Sequence, residues 1–169
     1  MLLPILRRPL LWAAGLRRHR RSFHISKPGL RIFDPVRSED ELYTLLMLST
    51  SRRLPLITFW SASWCPSCHA IRPLVRDLVD QQAKSGLLLG FAEVEIDLAT
   101  TSSLASRYSI NSIPTILAFH KGSALDNRIV DARRAKDRGY LASWLHECAA
   151  ARATEEQILV YKRNFNLLD

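Results

Sequence analysis

Cysteine is scarce in this chain: three in 169 residues, Cys65, Cys68 and Cys148. So few exclude a small secreted scaffold held together by several disulfides. One pair two residues apart, with a single distant thiol, suits a compartment in which thiols stay reduced. Methionine is rarer still, Met1 and Met47 only, both upstream of the cysteine pair. In the first half of the N-terminal region the longest apolar run, Pro9 to Leu16, falls far short of the roughly 20 residues that cross a bilayer, so no stable membrane insertion is expected. Acid is missing altogether from residues 1–31, which carry Arg7, Arg8, Arg17, Arg18, Arg20, Arg21, Lys27 and Arg31.

That last absence explains the charge. The chain has a formal net charge of +8, from 24 Lys and Arg against 16 Asp and Glu. Eight of the basic residues lie in the acid-free head, and the rest balance the acids. A neutral body with a basic head argues against a nucleic-acid surface on the fold itself. An arginine-rich, acid-free head ending in hydroxyl and aromatic residues has the features of a mitochondrial transit peptide over residues 1–26. Arg7 and Arg8 interrupt the apolar core that a secretory signal needs. Residues 21–26, RSFHIS, resemble the processing sites of fungal mitochondrial precursors, with cleavage after Phe23. The competing reading is a basic arm that binds anionic surfaces. We expect a mitochondrial protein, in the matrix.

The body alternates between strand and helix signals. Leu30–Phe33 reads as a short strand. Ser38-Glu39-Asp40-Glu41 is a capping box that opens a helix with Leu42, Leu45, Leu46 and Ser49 on one stripe, ending near Thr50. Leu54–Trp60 is apolar except for Thr58, as expected of a strand covered on both faces. From Pro66, the residues Ile71, Leu74, Val75, Leu78 and Val79 mark a helical face, with Pro73 inside it to bend it. Leu87–Asp97 reads as a strand, Thr101–Tyr108 as a short helix and Ile113–His120 as a strand. Lys121-Gly122 is then a turn, Arg128–Asp131 an antiparallel edge, and Ala135–Ala150 a final helix with Leu141, Trp144, Leu145 and Cys148 on one side. This order predicts an α/β fold, a central mixed sheet with helices on both faces, over residues 27–150. Residues 151–169 open with a second capping signature, Thr154-Glu155-Glu156-Gln157, and place Ile158, Tyr161 and Phe165 near one helical face, a C-terminal helical extension.

Residues 64–69 read WCPSCH, which matches three chemistries: a redox dithiol, half of a zinc site, and a c-type haem attachment. Haem attachment calls for a distal ligand and a small helical wrapper that this α/β pattern does not offer, and neither methionine lies downstream. Structural zinc takes four ligands, normally from two such knuckles, and Cys148 sits on a stripe that reads as core. The redox dithiol fits its surroundings best. An apolar strand ends at Trp60 and a helix begins near Pro66, so Cys65 falls at a helix N-terminus. There, backbone N–H groups and the helix dipole favour a thiolate, lowering a thiol pKa from about 8.5 towards neutrality. Pro66 suits the first turn, where its missing N–H costs nothing. Cys68 lies one turn later, within reach of a mixed disulfide held on Cys65.

With these residues in place, FWSASWCPSCHAIRPLV resembles the active-site segment of the thioredoxin family, and SINSIPTILAFHKG resembles its cis-proline strand and following turn. The resemblance implies a thioredoxin fold over roughly residues 30–148. It implies Cys65 as nucleophile and Cys68 as resolving cysteine, with no cofactor or metal beyond the redox-active disulfide. It further implies Trp64, Ile113 and Pro114 as substrate-binding residues, Pro114 in a cis bond and Ile113 pairing its backbone with the substrate chain. Pro66, Ser67 and Pro73 support the site. Protein disulfides would be the substrates and a thioredoxin-reductase-like protein the electron donor.

Three departures bear on mechanism. Pro66-Ser67 stands where thioredoxins have Gly-Pro, and since that pair tunes the reduction potential, the direction of electron flow stays open, with reduction the favoured reading. Phe59 occupies the position, six residues before the first cysteine, of the buried Asp that takes a proton from the resolving thiol. Thr58 beside it is no base, which leaves water or His69. Asp131 follows Val130 where the family commonly has glycine, which would put a charge near the substrate groove. The expected function is protein-disulfide reduction through Cys65 and Cys68. The alternatives are a non-catalytic binding or assembly module on the same fold and a more oxidising dithiol oxidase or isomerase.

Overall fold

Residue alternation in two central strands decides the architecture. The computed structural model describes residues 31–150; the leader expected over 1–26 and the extension expected over 151–169 lie outside the described residues. Five strands form one sheet: β1 (Arg31–Ile32), β2 (Leu56–Ser61), β3 (Gly90–Glu95), β4 (Thr115–His120) and β5 (Ser123–Ala124), in the spatial order β1-β3-β2-β4-β5. β1, β3 and β2 run parallel, β4 runs antiparallel to β2, and β5 antiparallel to β4. The helices are α1 (Glu39–Arg52), α2 (Pro66–Lys84), α3 (Ser102–Arg107), α4 (Ala132–Lys136) and a last helix, α5, over 138–150.

Every residue of β2 is buried, because side chains alternate between two faces and each face is roofed. Ile57 and Phe59 join Phe91, Ile116 and Ala118 beneath α2, α4 and α5, in the cluster that holds Cys65, Cys68 and Cys148. Leu56 and Trp60 join Ala92, Val94, Leu117 and Phe119 beneath α1 and α3. On that second face Tyr108 lies between Trp60 and Phe119, tilted to the first and edge-on to the second, with ring centroids 5.6 and 5.1 Å away. This is the mixed sheet between helices that the element order predicts.

The boundaries moved for local reasons. The Ser38 hydroxyl accepts the Glu41 backbone N–H at 3.2 Å, as the capping box requires, but the Glu41 carboxylate reaches one residue further back, to the Arg37 N–H at 2.7 Å. α1 continues two residues past Thr50 and stops at Arg53, whose φ of 52° is the left-handed conformation that ends helices. The expected edge strand at Arg128–Asp131 is replaced. Lys121 and Gly122 both take positive φ, 51° and 80°, the backbone of a two-residue hairpin turn, so the chain returns at once as β5. Ile129 keeps only an isolated antiparallel bridge to Ile116. The expected final helix from Ala135 is two helices. Asp131 accepts the Arg133 N–H to start α4, and Asp137 accepts the N–H groups of Gly139 and Tyr140 to start α5. An Asp that bonds nearby backbone N–H groups competes with helix continuation, and Asp137 is accordingly extended, at φ −75° and ψ 105°.

Candidate active site

The site is built where β2 ends. Cys65 is the N-cap of α2, in extended conformation, with Pro66 in the first turn. Its sulfur accepts the backbone N–H of Cys68 at 3.1 Å, one of the donors that a helix start leaves unpaired. An acceptor in that position is stabilised most when it is negative. Cys65 and Cys68 are disulfide-bonded, with Cα atoms 5.3 Å apart. Cys68 is fully buried and Cys65 nearly so, whereas Trp64 beside them is 70% exposed. Pro66 and Ser67 are exposed between the cysteines, and Pro73 is exposed inside α2.

The loop into Cys65 is tied from two sides. Asp97, just past β3, accepts both the backbone N–H (2.9 Å) and the hydroxyl of Ser63. Those two hydrogen bonds, the hydroxyl's first, hold the Asp97 carboxyl below its ordinary range. His69, in the first turn of α2, donates Nε2–H to the Ser63 carbonyl at 2.7 Å. Sequence reasoning assigned nothing to Asp97, which is 34 residues from its partner. The segment after β3, Ile96-Asp97-Leu98-Ala99-Thr100, carries no local mark of that contact.

Ile113 and Pro114 arrive from β4. The register Trp60↔Thr115 sets the Ile113–Pro114 bond beside the end of β2 where the cysteine loop begins, and that bond is cis. Pro114 is buried, and half-buried Ile113 packs against the cluster containing both cysteines. The fold thus brings Trp64, Cys65, Cys68, Ile113 and Pro114 to one end of the sheet. Asp131 is exposed, and its carboxylate caps α4.

Phe59 is fully buried in the cluster with Cys65 and Cys68, on the face of the sheet under α2. Thr58 points to the other face. Its hydroxyl donates to the Leu117 carbonyl and accepts from Trp60 Nε1, each at 2.8 Å. The third cysteine, Cys148, is a buried free thiol on α5, and burial pushes its pKa up to about 12. It lies in the same core as the pair, as a small apolar residue would. Among the described residues no group of three or more His, Cys, Asp or Glu side chains could hold a metal ion, and no helix is long and apolar enough to cross a membrane.

The thioredoxin family model matches residues 38–147. The chain is similar to the protein named "Thioredoxin O1, mitochondrial" from Arabidopsis thaliana, at 29% identity over 114 residues, 68% of this chain and 56% of that protein. It is also similar to thioredoxin C-2 of Corynebacterium nephridii, at 31% over 81 residues, 48% of this chain and 69% of that one. The chain therefore spans little more than half the length of the plant relative. In fold it is similar to the crystal structure of oxidised Arabidopsis thioredoxin O1, with a TM-score of 0.52, 24% identity, and coverage of 70% of this chain and 96% of that one. It is similar as well to Malassezia sympodialis thioredoxin, with a TM-score of 0.54, 21% identity, and coverage of 72% and 94%. The sheet order, the capped cysteine pair, the cis-proline beside it and a family match over most of the chain agree: this chain is a member of the thioredoxin family.

Proposed function

We propose that the chain is a mitochondrial protein-disulfide reductase working through Cys65 and Cys68. The observation that carries this reading is the Cys65 sulfur accepting a backbone N–H at the start of α2, since a thiol so placed becomes the attacking thiolate. Cys65 attacks a substrate disulfide, with Trp64, Ile113 and Pro114 forming the surface that receives the substrate chain. Cys68 then displaces the reduced product, and a thioredoxin-reductase-like donor restores the dithiol. No cofactor beyond the disulfide enters this cycle. The name of the plant relative and the basic head support import into mitochondria; the compartment we propose is the matrix, with residues 1–26 as the leader, 27–150 as the working domain and 151–169 as a C-terminal helical extension.

Insulin-disulfide reduction tests the reaction. Cys65→Ser protein should lose it entirely, and Cys68→Ser protein should accumulate mixed disulfides with several partners. Full activity in the first, or no adducts in the second, would refute turnover. The burial of Phe59 where relatives carry an acid favours a second reading, a binding module that keeps the groove without the chemistry. The Cys68→Ser trap separates the two. A reduction potential well above about −270 mV would instead point to an oxidase or isomerase.

A further inference from the structure

Glu93 is the one buried charged side chain among the described residues. It stands in β3 in register with Phe59 of β2, so both point to the sheet face beneath α2. A charge left unpaired there is strongly destabilising, and α2 supplies the partners. Arg72 Nε lies 3.0 Å from Glu93 Oε2, and Arg76 Nη1 lies 3.9 Å from Oε1. Arg72 Nη2 also reaches the hydroxyl of Ser61 at 3.5 Å. Ser61 is fully buried at the end of β2, two residues beyond Phe59 and on the same face. Arg72 follows Cys68 by four residues, one turn along the same side of the helix. Its guanidinium is therefore held on the sheet side of α2, pinned by Glu93 and Ser61, one turn below the resolving sulfur.

We propose that Arg72 is a positioning residue for the resolving step, its charge stabilising the Cys68 thiolate in place of the acid that Phe59 displaces, with Glu93 and Ser61 fixing where that charge sits. The inference rests on the dithiol reading above. Two guanidiniums face one carboxylate, so the cluster is net positive. The other titratable groups nearby are engaged elsewhere: Glu95 lies 3.4 Å from Arg37, while Asp97 and His69 bind Ser63. Cys148, in the same core, stays a neutral thiol. In the step concerned, Cys68 gives its proton to water and its thiolate attacks the Cys65 sulfur of the mixed disulfide. The Cys65–Cys68 bond forms as the bond from Cys65 to the substrate sulfur breaks. That sulfur leaves with the electron pair and takes a proton from water, so the substrate is reduced and the dithiol oxidised.

The test reads Cys68 directly and without substrate. In Cys65→Ser protein, the pH dependence of Cys68 alkylation by iodoacetamide is followed by mass spectrometry of its peptide. Arg72→Gln should raise the apparent pKa by about one unit, the low end for loss of a neighbouring charge. Arg72→Lys, which keeps a point charge but not the fork, should shift it less, and Arg76→Gln hardly at all. With both cysteines present, Arg72→Gln should slow product release from a preformed mixed disulfide about tenfold at pH 7 without slowing the first attack. An unchanged Cys68 profile in folded Arg72→Gln protein, or an equal shift in Arg76→Gln protein, overturns the proposal. If Arg72→Gln does not fold, a profile in Arg72→Lys protein identical to the parent overturns it equally. A failed trap with Cys68→Ser would sink the dithiol reading yet leave this alkylation result standing, so the two failures are distinguishable.

Discussion

Phe59 and Asp97 each support a different part of the site, the core under the cysteines and the loop that leads into them. Phe59 fills the floor beneath Cys65 and Cys68 with an apolar ring that is fully buried. Phe59→Ala should therefore cost about 3–5 kcal/mol through lost burial and the cavity left behind, read as a lower urea midpoint. The position was legible from its spacing to Cys65, and so was the inadequacy of Thr58. What no local pattern announced is the charge that shares the floor: Glu93 lies on another strand and Arg72 sits within an unbroken helical pattern. Asp97 holds the loop above. Its carboxyl titrates below the ordinary range because Ser63 donates two hydrogen bonds to it. A depressed folded pKa means that its contribution is whole above the ordinary carboxylate range and is lost as pH falls through the lower folded value. Asp97→Asn should remove that part of the acid limb in a stability-versus-pH series, and an unchanged limb would show that the tie contributes nothing.

At the scale of elements, caps mattered more than hydrophobic periodicity. The stripe of α1 and the long face of α2 were readable, since Leu42 and Leu46, or Ile71, Val75, Leu78 and Val79, are buried as their spacing implies. The division between α4 and α5 was not. Asp137 looks like an ordinary helix residue until its carboxylate is seen to bond the N–H groups of Gly139 and Tyr140. Asp137→Ala should cost about 0.5–2 kcal/mol, the usual loss for an N-cap, measurable by thermal unfolding. α5 also buries Cys148, whose pKa is pushed up from 9.0 to about 12 by desolvation. With the folded value above the unfolded one, its contribution is whole below pH 9 and is lost as pH rises towards 12. Oxidised protein should accordingly offer no thiol to Ellman's reagent in buffer and one in guanidinium. A thiol that reacts in buffer would show α5 opening readily.

For the whole molecule, charge and fold separate cleanly along the chain. The basic excess sits in the head, while the body that carries the site is balanced. A fusion of residues 1–35 to a fluorescent reporter should enter mitochondria, and diffuse cytosolic signal would refute the leader reading. Sequence by itself determined the element order as far as β4, the covered central strand and the place of the cysteine pair at a strand-to-helix junction. All of these follow from local periodicity, from proline's fixed φ and from the few residue types that begin a helix, whereas the role of Pro114 is an expectation from the family resemblance. Tertiary structure alone decided which strands became neighbours. It thereby set Glu93 beside Phe59, Asp97 against Ser63, and Ile113–Pro114 next to the cysteine loop. Those contacts join residues dozens of positions apart, and side-chain pairing across a sheet depends on register, which leaves no trace in either partner's own neighbourhood.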